Sequence, residues 1–196
     1  PAIKGFEIAG RSIMAKEVGG DFFDVIPFEV MALDSGTLGI TIADVSGKGV
    51  PAALFMALSR IVVRVNALWH TDPARAISAA NDIITADSPA GMFVTLFYGS
   101  LSEKDRTLHY VNAGHNPPLV YSRVKDTFSM LTLTGIALGV LTDQPYESGE
   151  VTIGIGDIAV LYTDGITECI NDKDEMFGET RLQAVIRENK DRPAGE

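Results

Sequence analysis

Thr37-Leu-Gly-Ile-Thr-Ile-Ala43, followed by Asp44-Val-Ser-Gly-Lys-Gly49 and then Val50-Pro-Ala-Ala53, is the stretch on which the fold turns. The first seven residues are β-rich and read as a strand. Turn residues stop it at Asp44, and Pro51 sits where a helix takes its first turn. The next two dozen residues suit that helix. Its polar positions Arg60 and Arg64 share one stripe, while Leu54, Phe55, Leu58, Ile61, Val62 and Val65 cover most of the rest. Such a helix is expected to be nearly encircled by protein.

Upstream, Gly5–Ile13 and Asp21–Val30 read as two strands separated by a turn at Gly19-Gly20. Downstream, Asp72-Pro73 caps and opens a second helix running to about Ala86. After Pro89-Ala90-Gly91 the pattern changes to short β-rich runs: Met92–Leu101, Thr107–Ala113, Leu119–Ser122, Phe128–Leu133, Glu150–Ile155 and Asp157–Thr163. Gly178–Asn189 closes with an amphipathic helix. Strands, two helices, a strand meander and a last helix are not the alternation of a parallel sheet. They predict antiparallel sheets with helices packed outside them, an α+β class.

The chain has 196 residues, 46% of them apolar and 21% charged, enough for one continuous core. No repeat or low-complexity tract divides it, so residues 1–196 read as a single domain. Sixteen Lys and Arg against 26 Asp and Glu give a net charge of −10, the wrong sign for a protein that neutralises nucleic-acid phosphates or anionic lipid. The most apolar stretch, Val50–Trp69, carries two arginines and reads as a helix of a soluble protein, so no membrane insertion is expected. One cysteine, Cys169, and no CxxC pair suit a reducing cytoplasm. The sequence opens on Pro1 without Met or signal peptide, which suggests a segment of a longer protein.

Three aspartates share one local grammar. Ile40, Ile42 and Asp44 point to one face of a strand, as do Ile158, Val160, Tyr162 and Asp164, and Asp21 shares a face with Phe23 and Val25. Each should therefore emerge at the rim of a core. Clustered carboxylates beside apolar surface are costly, and these segments carry no arginine to neutralise them. A multivalent cation resolves the conflict, and oxygen ligands without His or Cys favour Mg²⁺ or Mn²⁺ over zinc. The Val45 carbonyl, beside Asp44 in a glycine-rich turn, is a candidate further ligand. Each aspartate alone reads as a turn or cap residue; the three together do not.

Other motifs fall away. Asp44-x-x-Gly47 resembles a nucleotide-binding turn, but GxxxxGK[ST] is absent. His70, His109 and His115 are dispersed, and His115 in Asn112-Ala-Gly-His-Asn-Pro-Pro118 reads first as the pin of a tight turn. Ser46 has no nucleophile elbow and Cys169 no phosphate loop. Lys48 reads as an exposed helix-entry residue.

Five ordered motifs carry a resemblance: Val18-Gly-Gly-Asp-Phe-Phe-Asp24, Ile42-Ala-Asp-Val-Ser-Gly-Lys-Gly-Val-Pro-Ala-Ala53, Met92-Phe-Val-Thr95, Val111-Asn-Ala-Gly-His-Asn-Pro-Pro118 and Tyr162-Thr-Asp-Gly-Ile-Thr-Glu168. From about Gly5 to Leu182 the chain resembles the SpoIIE/RsbU-like branch of the metal-dependent PPM (protein phosphatase 2C-like) serine/threonine phosphatases. The resemblance implies a four-layer α-β-β-α sandwich with two central, mainly antiparallel sheets. It implies two Mn²⁺ or Mg²⁺ ions, with Asp44 bridging both, Asp21 and the Val45 carbonyl completing one, and Asp164 binding as well. Asp24 is taken as supporting or structural. The implied activity is hydrolysis of phosphoserine or phosphothreonine on a protein, typically an anti-anti-sigma (STAS-type) regulator, by a metal-activated water. A sensor or receiver domain commonly stands upstream.

Members of the family end in a strand beginning Asp-Asp-x-Thr, whose aspartate adds a ligand. After Leu182 this sequence reads as one helix and the tail Asp191–Glu196, so the sandwich is expected to lack that last strand. Asp172, Asp174 and Asp191 stand in the wrong context to replace it. The departure motivates an alternative, a catalytically weak or inactive partner-binding module of the same fold.

Overall fold

The computed structural model describes residues 3–13, 19–28, 36–88 and 91–196. Strand β1 (Phe22–Pro27) pairs with β2 (Thr37–Val45), β2 with β3 (Val94–Ser102), β3 with β4 (Thr107–Ala113), and β4 with β7 (Gly149–Thr152). In the second sheet β5 (Leu119–Ser122) lies between β6 (Thr127–Met130) and β8 (Ile158–Val160). Every ladder is antiparallel.

Side-chain alternation sorts these strands into layers. Ala43 and Val45 of β2 face outward into a core shared with Phe55 and Val63 of α1 (Val50–Trp69) and with Ile77 and Ile84 of α2 (Pro73–Asp87). Leu38 of β2 turns the other way, joining Phe97, Leu108, Val120 and Ile153 in a core between the sheets, with Ile40 and Ile42 packed against it. Beyond the second sheet, Leu119, Tyr121 and Tyr162 pack on Leu182 and Ile186 of α4 (Gly178–Glu188). The architecture is the expected α-β-β-α sandwich.

The second helix begins as its sequence predicts, with Asp72 accepting from the Ala74 amide at 3.0 Å. Expected β4 and β5 match in both bounds, and β2 runs on to include Asp44 and Val45. The expected strand Gly5–Ile13 does not form. Gly5 takes the left-handed φ of 81° in a tight turn between Ile3 and Phe6, and the following residues find no strand to pair with. Gly10 instead lies so close over the Phe23 ring that a β-carbon there would stand 2.6 Å from it. Val30, Pro89 and Ala90 lie outside the described residues. After Leu182 the described chain forms α4 and then no strand.

The expectation that the long helix is encircled is overturned. Ala52, Phe55, Ser59, Val63, Asn66 and Ala67 are buried, but Leu54, Ile61 and Trp69 are 68%, 62% and 71% exposed. The reason is geometric. Sheet and α2 cover one side of α1, and no described element covers the other, so burial follows the layer and not the apolar count. By length and composition α1 could cross a bilayer, yet here its buried face is part of a core.

Arg60 and Arg64 serve that packing. They reach down to the buried Asp24 of β1, Arg60 Nη2 donating to Oδ1 at 3.2 Å and Arg64 Nη1 to Oδ2 at 2.8 Å. Burial works to raise the Asp24 pKa, but the two guanidiniums outweigh it and hold the carboxylate below its ordinary range. The two faces of α1 should differ sharply in urea unfolding. Phe55→Ala is expected to cost about 3–5 kcal/mol through the cavity it leaves, whereas Ile61→Gln should stay within about 0.5 kcal/mol.

Candidate metal centre

The carboxylates predicted to meet come from three elements. Asp21 stands one residue before β1, Asp44 is the penultimate residue of β2, and Asp164 opens the short helix α3 (Asp164–Thr167). Asp21 and Asp44 reach the site as alternation predicts, on the faces whose Val25, and Ile40 and Ile42, pack against the core between the sheets. Asp164 arrives by another route. Tyr162 and Val160 pack toward α4, and it is Leu161 that joins the inner core. The chain leaves the strand and turns into α3, so alternation no longer governs Asp164. Thr163 points inward in its place, donating from Oγ1 to Asp21 Oδ2 at 2.7 Å.

Gly20 makes the approach possible. A β-carbon there would stand 2.7 Å from the Val45 carbonyl oxygen and 3.5 Å from Asp44 Oδ1. Only a bare backbone can bring Asp21 this close to the Asp44–Val45 turn. On its other side the turn is locked to β3. The Ser46 amide donates to the Phe93 carbonyl and the Phe93 amide to Ser46 Oγ, both at 2.9 Å. Ser46 is thus a structural hydroxyl. Thr95, the register partner of Asp44, donates from Oγ1 toward the Asp44 carbonyl at 3.4 Å and lies 3.1 Å from His115 Nδ1.

His115 is buried behind this wall; the turn is pinned by the Asn112 side chain, whose Oδ1 accepts from the His115 amide at 2.9 Å, and not by the imidazole as the sequence suggested, which meets Thr95 instead. Burial pushes its pKa down, against the raising effect of the Tyr162 backbone and the Asp21 and Asp164 carboxylates. Nε2 has no partner in hydrogen-bond geometry, although Tyr162 is its polar neighbour.

The electrostatics are unbalanced. Asp44 is pushed from its ordinary value near 3.8 up to about 7, first by burial, then by the Asp21 carboxyl within hydrogen-bonding reach, then by Asp164. Among the described residues no Lys, Arg or His forms an ion pair with Asp21, Asp44 or Asp164. Asp24 belongs to the opposite face of β1, where its two arginines neutralise it. The donor set suits a hard divalent cation: carboxylates and a backbone carbonyl, no thiolate, and a close approach that a β-carbon would block. The side chains are not closed around such an ion, since no three His, Cys, Asp or Glu among the described residues form a chelating group.

Against this geometry the similarities to known proteins acquire meaning. Residues 34–196 match the model of the family described as Stage II sporulation protein E (SpoIIE). The chain belongs to the SpoIIE family. Within and around that family, it is 30% identical over 189 residues to phosphoserine phosphatase RsbU of Bacillus subtilis, covering 96% of this chain and 54% of that protein. The chain thus spans about half the length of that relative. Its fold matches the RsbU and RsbW domains of Rv1364c from Mycobacterium tuberculosis with a TM-score of 0.76 at 24% identity, over 92% of this chain and 50% of that one. It also matches RsbX, solved in complex with magnesium, at a TM-score of 0.61 and 16% identity, over 93% and 85% of the two chains. The PP2C phosphatase domain of SpoIIE from Bacillus subtilis also shares the fold, at a TM-score of 0.69 and 16% identity over 88% of this chain and 48% of that one, so the SpoIIE-family chain has the PP2C-like, or PPM, fold.

Sequence reasoning missed two site features, the Thr163 hydroxyl and the steric need for glycine at position 20. The signals were present: a hydroxyl residue directly before Asp164, and a glycine directly before Asp21 where Gly19 alone would serve a turn.

Two outcomes follow from the unbalanced charge. Without metal, folded protein keeps the Asp44 proton that the unfolded chain releases above pH 4. The stability that Asp44 contributes is therefore fully present below about pH 4 and is lost as pH rises through 7, by about 1–2 kcal/mol after solvent screening. Asp44→Asn should flatten that slope in urea unfolding series with chelator present. Gly20→Ala should weaken Mn²⁺ binding about 10–100-fold, read as the ion's effect on the thermal midpoint.

Proposed function

We propose that this chain is the catalytic domain of a metal-dependent serine/threonine phosphoprotein phosphatase. The observation that carries the reading is the uncompensated convergence of Asp21, Asp44 and Asp164 at one rim of the inner core. Repulsive in isolation, it becomes favourable around divalent cations. That RsbU is a phosphoserine phosphatase, and that RsbX was solved in complex with magnesium, supports the reading.

In this proposal Asp21, Asp44, Asp164 and the Val45 carbonyl are the groups that would hold two Mn²⁺ or Mg²⁺ ions. Bound there, the ions supply an activated water and neutralise charge on the phosphoryl group. The chain's own residues hold and aim this centre. Thr163 fixes the rotamer of Asp21, Thr95 and Ser46 fix the Asp44–Val45 turn against β3, and buried His115 backs Thr95. No protein nucleophile is needed, consistent with a Ser46 hydroxyl occupied by the Phe93 amide and an exposed, unpaired Cys169. The substrate class we propose is a phosphoserine or phosphothreonine STAS-type anti-anti-sigma protein, met in the cytoplasm, with an upstream sensor or receiver domain supplying the signal.

One observation favours a second reading, a non-catalytic partner-binding module: among the described residues the carboxylates are not closed around an ion. Phosphate release separates the two. With Mn²⁺, the wild-type chain should release phosphate from a phosphoserine STAS protein much faster than from free phosphoserine. Asp44→Asn or Asp164→Asn should lower that rate about 10²–10³-fold with circular dichroism unchanged. No release at any Mn²⁺ level, together with chelator-insensitive partner capture, would establish the module instead.

A further inference from the structure

Asp24 is the one buried carboxylate among the described residues, 7% exposed and gripped by two guanidiniums. Stability alone does not explain it, because a carboxylate taken out of water against two half-exposed guanidiniums rarely outperforms an apolar side chain of similar volume. What such a cluster supplies is a fixed geometry. Arg60 and Arg64 are one helical turn apart, and each takes a different oxygen of the same carboxylate. Two-point attachment sets both the rotation of α1 about its axis and its height along β1. The flanking contacts, Phe22 and Ile26 against the helix-side core, are apolar and do not by themselves select one register.

The two elements joined by this clamp are those that carry candidate ligands. Asp21 stands immediately before β1, outside the ladder whose last pair is Phe22 with Ala43. Asp44 and Val45 end β2 and lead through the four residues Ser46–Gly49 into α1. Gly47 and Gly49 in that link take left-handed φ values of 93° and 79°, and a β-carbon at either meets nothing within 4 Å. Ser46 holds the strand end of the link to β3, while the Gly47–Gly49 portion meets open space, so the link is short and the position of α1 bears on the turn through it.

From this arrangement we infer that Asp24, held by Arg60 and Arg64, is a positioning residue that sets the separation of Asp21 from the Asp44–Val45 turn. The inference rests on the metal-centre reading proposed above. Its consequence is that loosening the clamp weakens ion binding at the opposite face of β1 without removing any ligand.

The test compares wild type, Asp24→Asn, Arg64→Lys and, as background, Asp44→Asn. Mn²⁺ is titrated calorimetrically, and metal-free thermal midpoints are recorded alongside. Asp24→Asn should raise the apparent Kd for Mn²⁺ about tenfold, and Arg64→Lys, which keeps charge but loses the planar fork, should fall between it and wild type. Turnover of p-nitrophenyl phosphate at saturating Mn²⁺ should recover to within about threefold of wild type, since every ligand remains. A lower metal-free midpoint with an unchanged Kd would overturn the inference and leave Asp24 a purely structural ion pair. If Asp24→Asn fails to fold, the Arg64→Lys titration decides, and an unchanged Kd there has the same meaning. Failure of wild type itself to bind Mn²⁺ above the Asp44→Asn background would instead refute the metal centre.

Discussion

Carboxylates crowded together without a countercharge are the constraint around which this molecule is organised. Asp21 and Asp44 come from the ends of two neighbouring strands of the first sheet and Asp164 from the start of the helix α3, and each is held there by ordinary packing elsewhere. The inner core sets the direction of the first two. The turn into α3 delivers the third, and the Thr163 hydroxyl ties the second sheet to the first through Asp21. The folded chain tolerates this charge by letting Asp44 keep its proton. A protein optimised for stability alone would have no reason to build such a rim.

Much of this was legible in the sequence, because strand alternation is a local rule and the first sheet obeys it. Ile40, Ile42 and Asp44 do share a face, and the antiparallel meander and outer helices followed from the order of β-rich and helical runs. The rule failed where the chain stops being a strand. The Tyr162 row turned toward α4, and only the change of direction at Thr163 brought Asp164 to the rim. The long helix misled for a different reason. Its apolar content announced burial on every side, whereas the number of faces covered is fixed by neighbouring elements, which no local pattern encodes. Likewise, Gly5–Ile13 has strand-like residues but no pairing partner. A strand is a property of two segments.

The contrast between Asp24 and the other three aspartates shows how little residue type decides. Asp21, just before β1, and Asp24, within it, lie three positions apart and face opposite ways. One meets other carboxylates, the other meets guanidiniums, and their electrostatic surroundings are opposed. Sequence motif alone assigns both to the same signature, and only the pleat of β1 separates a candidate ligand from a packing element.

The bare side of α1 gives the molecule a divided character in solution. A net charge of −10 keeps copies apart at low ionic strength. A ribbon of aliphatic and indole surface five turns long favours their adhesion once that field is screened. Colloidal behaviour is therefore expected to follow added electrolyte, with the chain monodisperse in dilute buffer and clustering as ammonium sulfate is raised.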